Sequence, residues 1–296
     1  MKKLIALLVA LCLLPSLAAA ETIVTSFYPI YLFTLNLTDG LDGVTVRNLA
    51  APDTGCLHDY QLQTGDMKSL SEADAFLING AGMESYLDHV FEAFPDLPVT
   101  DASVGIDLLQ ADPEELAVGI AEGPSNAHVW LDPTNAATMV ANLADGLMAA
   151  CPDGADAIAA NRDVYLRRLE ALDAALSDGL ADLPHRDIVT FHEAFPYFAN
   201  AYGLNVAAVV NREPGDALSP AALGQLVLLM RELGAPPLFV EPQYDDLAAQ
   251  TLARETGAVV YTLDPVVTGP EDAPLTYYED TMLENMRVLQ AALAQP

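Results

Sequence analysis

The feature that most constrains the fold is a long helical pattern in the middle of the chain. Residues 154–183, GADAIAANRDVYLRRLEALDAALSDGLADL, carry apolar side chains at three- and four-residue spacing over roughly 26 residues. At a rise of 1.5 Å per residue, such a helix is about 40 Å long, which is the span of a whole domain. We therefore predict that the chain is divided into two parts by one long helix.

Both parts alternate β-rich runs with helical runs. Strands are predicted at 21–28, 43–50 and 75–80 before the long helix, and in DIVTF, LFVEP and AVVYTLDP after it. In the second part, Ser219 and Pro220 are typical of a helix start and Gly234 of a helix end. This alternation predicts an α/β fold in which two lobes with parallel sheets are covered by helices. Ligands of such sheets lie beyond the carboxyl ends of the strands, which favours a site in the cleft between the lobes.

The first 20 residues, MKKLIALLVALCLLPSLAAA, have the pattern of a secretory signal peptide with cleavage after Ala20. Their apolar run is too short to span a bilayer, and Leu11 before Cys12 disfavours a lipoprotein. We therefore expect a soluble protein that is secreted across the inner membrane and lies in the periplasm or another extracytoplasmic space. The expected divisions are a signal peptide at 1–20, an N-terminal lobe at 21–153, a linking helix at 154–183 and a C-terminal lobe at 184–296.

The chain is strongly acidic, with 12 Lys and Arg residues against 42 Asp and Glu residues and a net charge of -30. A surface of this kind repels nucleic acid and anionic lipid, so we expect neither as a partner. It also attracts cations. A general contribution to solubility explains the acidity equally well, so the charge permits a cationic ligand without requiring one.

Three histidines and one carboxylate lie in loops or at predicted strand ends: His58, His128, His192 and Asp264. Each alone is more simply explained as a solvated or capping residue. Together they approach the expected ligand-facing edge from both lobes, and imidazole and carboxylate groups suit a four-coordinate zinc site. The other two histidines, His89 within a helix and His185 before a strand, lie elsewhere.

Enzyme motifs fit the sequence less well. His192 and Glu193 begin like the H-E-x-x-H motif, but Pro196 stands at its fifth position. A Cys56 nucleophile with His58 as its base has no recognisable oxyanion site. A secreted zinc-dependent hydrolase that uses the same cluster is an alternative, although four protein ligands leave no position for a catalytic water. We expect that the protein is not an enzyme.

Five blocks carry a family resemblance over essentially the whole chain after residue 20. These are SFYPIYLF, HDYQLQTGDMKSLSEADAFLINGAGMESYLD, HVWLDPTNA, FHEAFPYFANAYGLN and FVEPQYDDLAAQTLARETGAVVYTLDPV. In this order they resemble the metal-binding solute-binding proteins of ABC transporters for zinc and manganese. The resemblance implies two lobes bridged by a rigid helix, a metal bound between them and delivery to a membrane ABC permease. It also implies a monomer that binds a divalent metal ion.

By position, the resemblance places the metal ligands on His58, His128, His192 and Asp264, with Glu241 and Asp59 supporting them. The third ligand is usually histidine in zinc members and glutamate in manganese members. His192 therefore favours Zn²⁺, with Mn²⁺ as the alternative, since manganese prefers oxygen ligands. An adhesin role is a further alternative that no residue here favours or excludes.

Two cysteines, Cys56 and Cys151, follow the signal peptide, and an even number in an oxidising compartment suggests a disulfide. However, a helix of about 18 residues is predicted after His128, and it would carry Cys151 about 27 Å from the cleft. A disulfide needs Cα atoms within about 7 Å. We therefore expect no bond between these cysteines.

Overall fold

The computed structural model describes residues 20–55, 57, 60–110, 125–210, 220–243 and 247–294. They form two four-stranded parallel sheets, one on each side of a long helix in the sequence. The predicted signal peptide and the predicted cap at Ser219 lie outside the described residues, apart from Ala20. Within the described ranges, no helix has both the length and the apolar character needed to cross a bilayer.

The first lobe contains a sheet of order β2-β1-β3-β4 with helices between its strands. β1 lies in the interior of the sheet and pairs in parallel with β2 and β3, with Ile23 opposite Val46 and Ala75. The four residues of β3 are all buried, as expected for an inner strand of a covered parallel sheet. The elements are β1 (Glu21–Thr25), α1 (Tyr28–Thr38), β2 (Val44–Asn48), α2 (Thr64–Ser71), β3 (Ala75–Ile78), α3 (Leu87–Ala93), β4 (Val99–Asp101) and α4 (Pro133–Ala150).

The second lobe repeats this arrangement with the order β6-β5-β7-β8, and all of its strand pairs are parallel. An irregularity between Ile188 and Val189 shifts the register of β5 against β6. The elements are β5 (Asp187–Thr190), α6 (Pro196–Tyr202), β6 (Asn205–Val209), α7 (Pro220–Glu232), β7 (Leu238–Val240), α8 (Leu247–Thr256), β8 (Val260–Thr262) and α9 (Tyr277–Leu293).

The predicted long helix is α5 (Ala155–Leu180), which has 26 residues. It packs against α1 and α4 of the first lobe and against α6 and α9 of the second. One stripe along its length is buried, while its other faces are largely exposed, so the helix belongs to the cores of both lobes. The buried stripe consists of Ile158, Tyr165, Leu169, Leu172, Leu176 and Leu180.

A polar contact fixes α5 to both lobes near its middle. The Arg168 guanidinium lies 2.5 Å from a carboxylate oxygen of Glu279 on α9 and donates to the side chain of Asn36 on α1 at 2.7 Å. It also stacks over the Tyr165 ring, 4.9 Å from the ring centroid. The linking helix is therefore held to the first and last helices by charge as well as by apolar packing.

The larger hydrophobic core extends from the first sheet through α5 to the inner side of the second sheet. Aromatic rings from the two lobes contact each other within this core: Phe33 of α1 meets Tyr278 of α9 edge-on, with ring centroids 5.1 Å apart. A smaller core lies between the second sheet and α7 and α8, and it includes Val189, Met230 and Leu252. The two lobes are thus joined by a continuous apolar core.

Cys151 directly follows α4 and is a buried free thiol. Burial raises its pKa to about 11, so the thiol is neutral at physiological pH. This agrees with the prediction that Cys151 is unpaired. Cys56, the other cysteine after the predicted signal peptide, lies outside the described residues.

Candidate metal centre

Two of the predicted ligands face each other across the lobes. His128 precedes α4 in the first lobe, and His192 follows β5 in the second. Their Nε2 atoms lie 3.0 Å apart, and their rings meet edge-on with centroids 4.9 Å apart. Both side chains are almost fully buried, with 1% and 2% of their surface exposed.

This spacing suits a shared metal ion. Two nitrogen ligands at 2.0–2.1 Å in a tetrahedral zinc site lie about 3.3 Å apart. The two Nε2 atoms therefore need to separate by only a few tenths of an ångström to hold zinc between them. Burial of both rings keeps water away from their nitrogens and strengthens any bond to a cation.

The sequence after His128 explains how its ring is placed. A short 3₁₀ turn, Val129–Leu131, follows the histidine and is completely buried. The Asp132 carboxylate then accepts from the backbone N–H of Thr134 at 2.8 Å, and Pro133 begins α4. The cap and the buried turn fix the backbone just beyond His128, so the ring can enter the boundary between the lobes with little freedom.

Asp264 lies two residues beyond the end of β8, on a turn held by several hydrogen bonds. Its backbone N–H donates to the side chain of Asn285 at 2.8 Å, and Val266 N–H donates to its carboxylate at 2.8 Å. Burial raises the pKa of Asp264, while the hydrogen bond from Val266 partly offsets this effect. The ionised form of a buried carboxyl group is stabilised by a nearby cation.

The turn after Asp264 is also strained. Val266 has a φ of 63° and is completely buried, although β-branched residues rarely adopt the left-handed region. Such conformations cost about 1–3 kcal/mol and persist only where surrounding packing fixes them. Here the packing comes from the first lobe, because the Trp130 indole donates to the carbonyl of Pro265 at 2.7 Å.

Trp130 is thus a direct link between two predicted ligand segments. Its ring is completely buried and lies 5.2 Å from that of His128, while its indole N–H is bonded to the residue after Asp264. Its backbone carbonyl accepts from the Tyr278 hydroxyl of α9 at 2.6 Å. Any movement of one ligand segment relative to the other must therefore disturb the environment of this indole.

Glu241, predicted to support the ligands, directly follows β7 and is buried, with 3% of its surface exposed. One of its carboxylate oxygens accepts from the Gln243 side chain at 2.6 Å. Two further residues of the predicted site, His58 and Asp59 of the first lobe, lie outside the described residues. Among the residues that are described, no group of three His, Cys, Asp or Glu side chains is arranged to hold a metal ion. The structure thus brings together His128 and His192 but does not add Asp264 to that pair.

Comparison with known proteins identifies the family. The sequence profile of ZnuA, the periplasmic component A of a zinc-uptake complex, matches residues 23–292. The chain belongs to the ZnuA family. A crystal structure of ZnuA superimposes with a TM-score of 0.78 at 28% sequence identity, covering 93% of this chain and 99% of that one. The two-lobed architecture predicted from the sequence is therefore confirmed.

Relatives within the family are named for different metals. The manganese-binding lipoprotein MntA of Halalkalibacterium halodurans is 30% identical over 244 residues, which cover 80% of this chain and 78% of MntA. The zinc-binding protein AdcA of Streptococcus pyogenes is 29% identical over 286 residues, which cover 90% of this chain but only 55% of AdcA. Membership of the ZnuA family therefore leaves both zinc and manganese as candidate metals.

Two asparagines that orient the predicted ligands His128 and Asp264 were not predicted from the sequence. Asn126 lies two positions before His128, and its side-chain oxygen is 3.1 Å from His128 Nδ1. Asn285 holds the backbone of Asp264 on both sides, since it also donates to the Asp264 carbonyl at 2.7 Å. Nearness in sequence to His128 was a usable signal for Asn126. Asn285 is 21 residues from Asp264, and nothing in the sequence connects them.

Proposed function

We propose that this chain captures a divalent transition metal, zinc, between its two lobes in the periplasm and delivers it to a membrane ABC permease. The observation that carries this proposal is the buried pair of His128 and His192, whose Nε2 atoms are 3.0 Å apart. The proposed ligands are His58, His128, His192 and Asp264, with Glu241 and Asp59 supporting them. The alternative cargo is manganese.

The choice of zinc rests on the chemistry of the pair. Imidazole nitrogen is a softer ligand than oxygen and suits zinc, whereas manganese prefers carboxylates, carbonyls and water. Because the two histidines come from different lobes, a metal bound by both bridges the lobes. Release to a permease then requires the lobes, or the segments that carry the ligands, to move apart.

Each segment between the predicted boundaries has its own proposed role. Residues 1–20 direct secretion, 21–153 and 184–296 form the lobes that supply ligands, and 154–183 holds the lobes together. The contacts of α5 with helices of both lobes support a rigid link rather than a flexible hinge. We infer that the protein acts as a monomeric carrier and not as a catalyst, since four protein ligands leave no open position for a reacting water.

The test is competitive titration of the metal-free protein with zinc and manganese, after elemental analysis of protein purified without added metal. We expect zinc to bind more tightly, with one equivalent per chain. Replacing either histidine, in His128→Ala or His192→Ala, should weaken zinc binding by more than the roughly 10–100-fold typical of losing a supporting group. His89→Ala is the matched control because His89 is exposed on α3.

Two results would contradict the proposal. Tighter binding of manganese than of zinc would overturn the choice of metal. Zinc affinity in both histidine variants equal to that of the His89→Ala control would overturn the site itself. Hydrolysis of peptide or ester substrates that depends on bound zinc would favour the hydrolase alternative.

A further inference from the structure

Asn126 contacts both ligand-bearing segments with a single side chain. Its amide oxygen accepts from the backbone N–H of His128 at 2.9 Å and lies 3.1 Å from Nδ1 of the same histidine. Its amide nitrogen donates to the backbone carbonyl of Glu193 at 2.8 Å. Glu193 directly follows His192, so the amide joins the first lobe's histidine to the second lobe's histidine loop.

The orientation of this amide is fixed by its backbone partners. A backbone N–H only donates and a backbone carbonyl only accepts, so the oxygen must face His128 and the nitrogen must face Glu193. The oxygen can then meet His128 Nδ1 only as an acceptor, which places the proton on Nδ1. In the neutral ring this leaves the lone pair on Nε2, the atom that faces His192 and that a metal would bind.

The backbone of Asn126 is held equally firmly. Its N–H donates to the Leu109 carbonyl at 2.9 Å, and its carbonyl accepts from the Tyr197 hydroxyl at 2.9 Å. The same hydroxyl accepts from the Leu109 N–H at 2.9 Å. Tyr197 belongs to α6 of the second lobe, so the segment that carries Asn126 is bonded to both lobes before it reaches His128.

We propose that Asn126 is a positioning residue of the metal site, which fixes the tautomer of His128 and couples that histidine to the loop after His192. The inference rests on the proposed function, because it assigns Asn126 a role in metal binding. Side chains that hold the second nitrogen of a ligand histidine set its tautomer and orientation, and their loss typically costs about 10–100-fold in metal affinity. Asn126 holds one histidine directly and reaches the other through the backbone.

Two substitutions separate the two contacts. Asn126→Ala removes both, whereas Asn126→Asp keeps an acceptor for His128 Nδ1 but loses the donor to the Glu193 carbonyl. Asn142→Ala is the matched control. Asn142 is also half-buried and also donates to backbone carbonyls, those of Ala102 and Val104, so it matches Asn126 in chemistry and burial.

The experiment combines zinc titration with imidazole ¹⁵N NMR and hydrogen exchange of the metal-free proteins. We expect Asn126→Ala to lower zinc affinity by about 10–100-fold and Asn126→Asp to stay within about threefold of wild type. His128 should be Nδ1-protonated in wild type and in Asn126→Asp, and should populate both tautomers in Asn126→Ala. The backbone amides of residues 191–195 should exchange faster than in wild type in both Asn126 variants. Their exchange rates should be unchanged in Asn142→Ala.

A wild-type tautomer and wild-type affinity in Asn126→Ala, as in the control, would overturn the inference. If Asn126→Ala does not fold, loss of the Nδ1-protonated form in Asn126→Asp would overturn it instead. Failure of wild-type protein to bind zinc or manganese would refute the proposed function. The tautomer would still be read in metal-free protein, so the two failures are distinguishable.

Discussion

Gly80, at the turn after β3, offers a sharp test of how the first lobe is packed. Its φ is +76°, and a Cβ added there would lie 1.8 Å from Oδ1 of Asp101 at the end of β4. That oxygen accepts from the backbone N–H and the hydroxyl of Ser103 at 2.8 and 2.7 Å. Gly80→Ala must therefore strain the backbone and displace Asp101 from both hydrogen bonds.

The expected cost follows from these two effects. A left-handed conformation costs a non-glycine residue about 1–2 kcal/mol, and two lost hydrogen bonds add about 1–3 kcal/mol. We expect Gly80→Ala to lower the free energy of unfolding by about 2–4 kcal/mol, given that the strain and the lost bonds do not add fully. Gly40→Ala is the control, because Gly40 has a φ of +72° but no atom within 4 Å of its added Cβ.

Urea denaturation of the metal-free proteins, followed by circular dichroism, measures both changes. The Gly40→Ala protein should lose only the conformational part, about 1–2 kcal/mol. The difference between the two variants isolates the steric conflict with Asp101. Equal losses in the two variants, at equal dependence on urea, would show that Asp101 yields freely and would refute the argument.

Four further predictions concern buried charges, the indole and the pH dependence of zinc binding. Burial raises the pKa of Glu84 from 4.5 to about 7, so the folded state binds this proton more tightly. As the pH falls from 8 to 4.5, the unfolding free energy of wild type should therefore rise by about 3 kcal/mol relative to that of Glu84→Gln. Curves of unfolding free energy against pH that run parallel for the two proteins would contradict this. Glu279→Gln removes the negative charge that faces the half-buried Arg168 guanidinium, and it should cost about 1–3 kcal/mol of unfolding free energy. Glu284→Gln, in an exposed ion pair, should cost about 0.5 kcal/mol. Equal thermal shifts in those two variants would argue against the link between the helices. Zinc should change the fluorescence of buried Trp130, and an unchanged emission spectrum at saturating zinc would contradict this. Zinc should also bind more weakly at pH 5 than at pH 7.5, because protons compete for the imidazole nitrogens. Equal zinc affinities at the two pH values would contradict this expectation.

The architecture was predictable because it depends on periodicity. The apolar spacing of residues 154–183 predicted α5, and the alternation of strand and helix patterns predicted two covered parallel sheets. Two strands, β4 and β6, and the last helix, α9, were not predicted. β4 (Val99–Asp101) has one apolar residue among three, so it lacks the apolar run that marked β7 and β8. Its strand character comes from pairing with Phe76, Leu77 and Ile78 of β3.

The candidate site was predictable in part. A strand-end position drew attention to His192, and a loop just before a predicted helix drew attention to His128. The fold brings their Nε2 atoms within 3.0 Å of each other. The strained conformation of Val266 and the amide bridge of Asn126 depend on neighbours from the other lobe. Local sequence holds no record of such neighbours, so only the folded chain shows these contacts.

The most direct test of the central claim is X-ray absorption at the zinc edge of the one-to-one complex. A closed site of three histidines and one aspartate predicts nitrogen and oxygen ligands at about 2.0–2.2 Å, with no sulfur. His192→Ala should remove one imidazole from the pattern of outer-shell scattering. A sulfur ligand at about 2.3 Å, or a first shell without imidazole, would contradict the account.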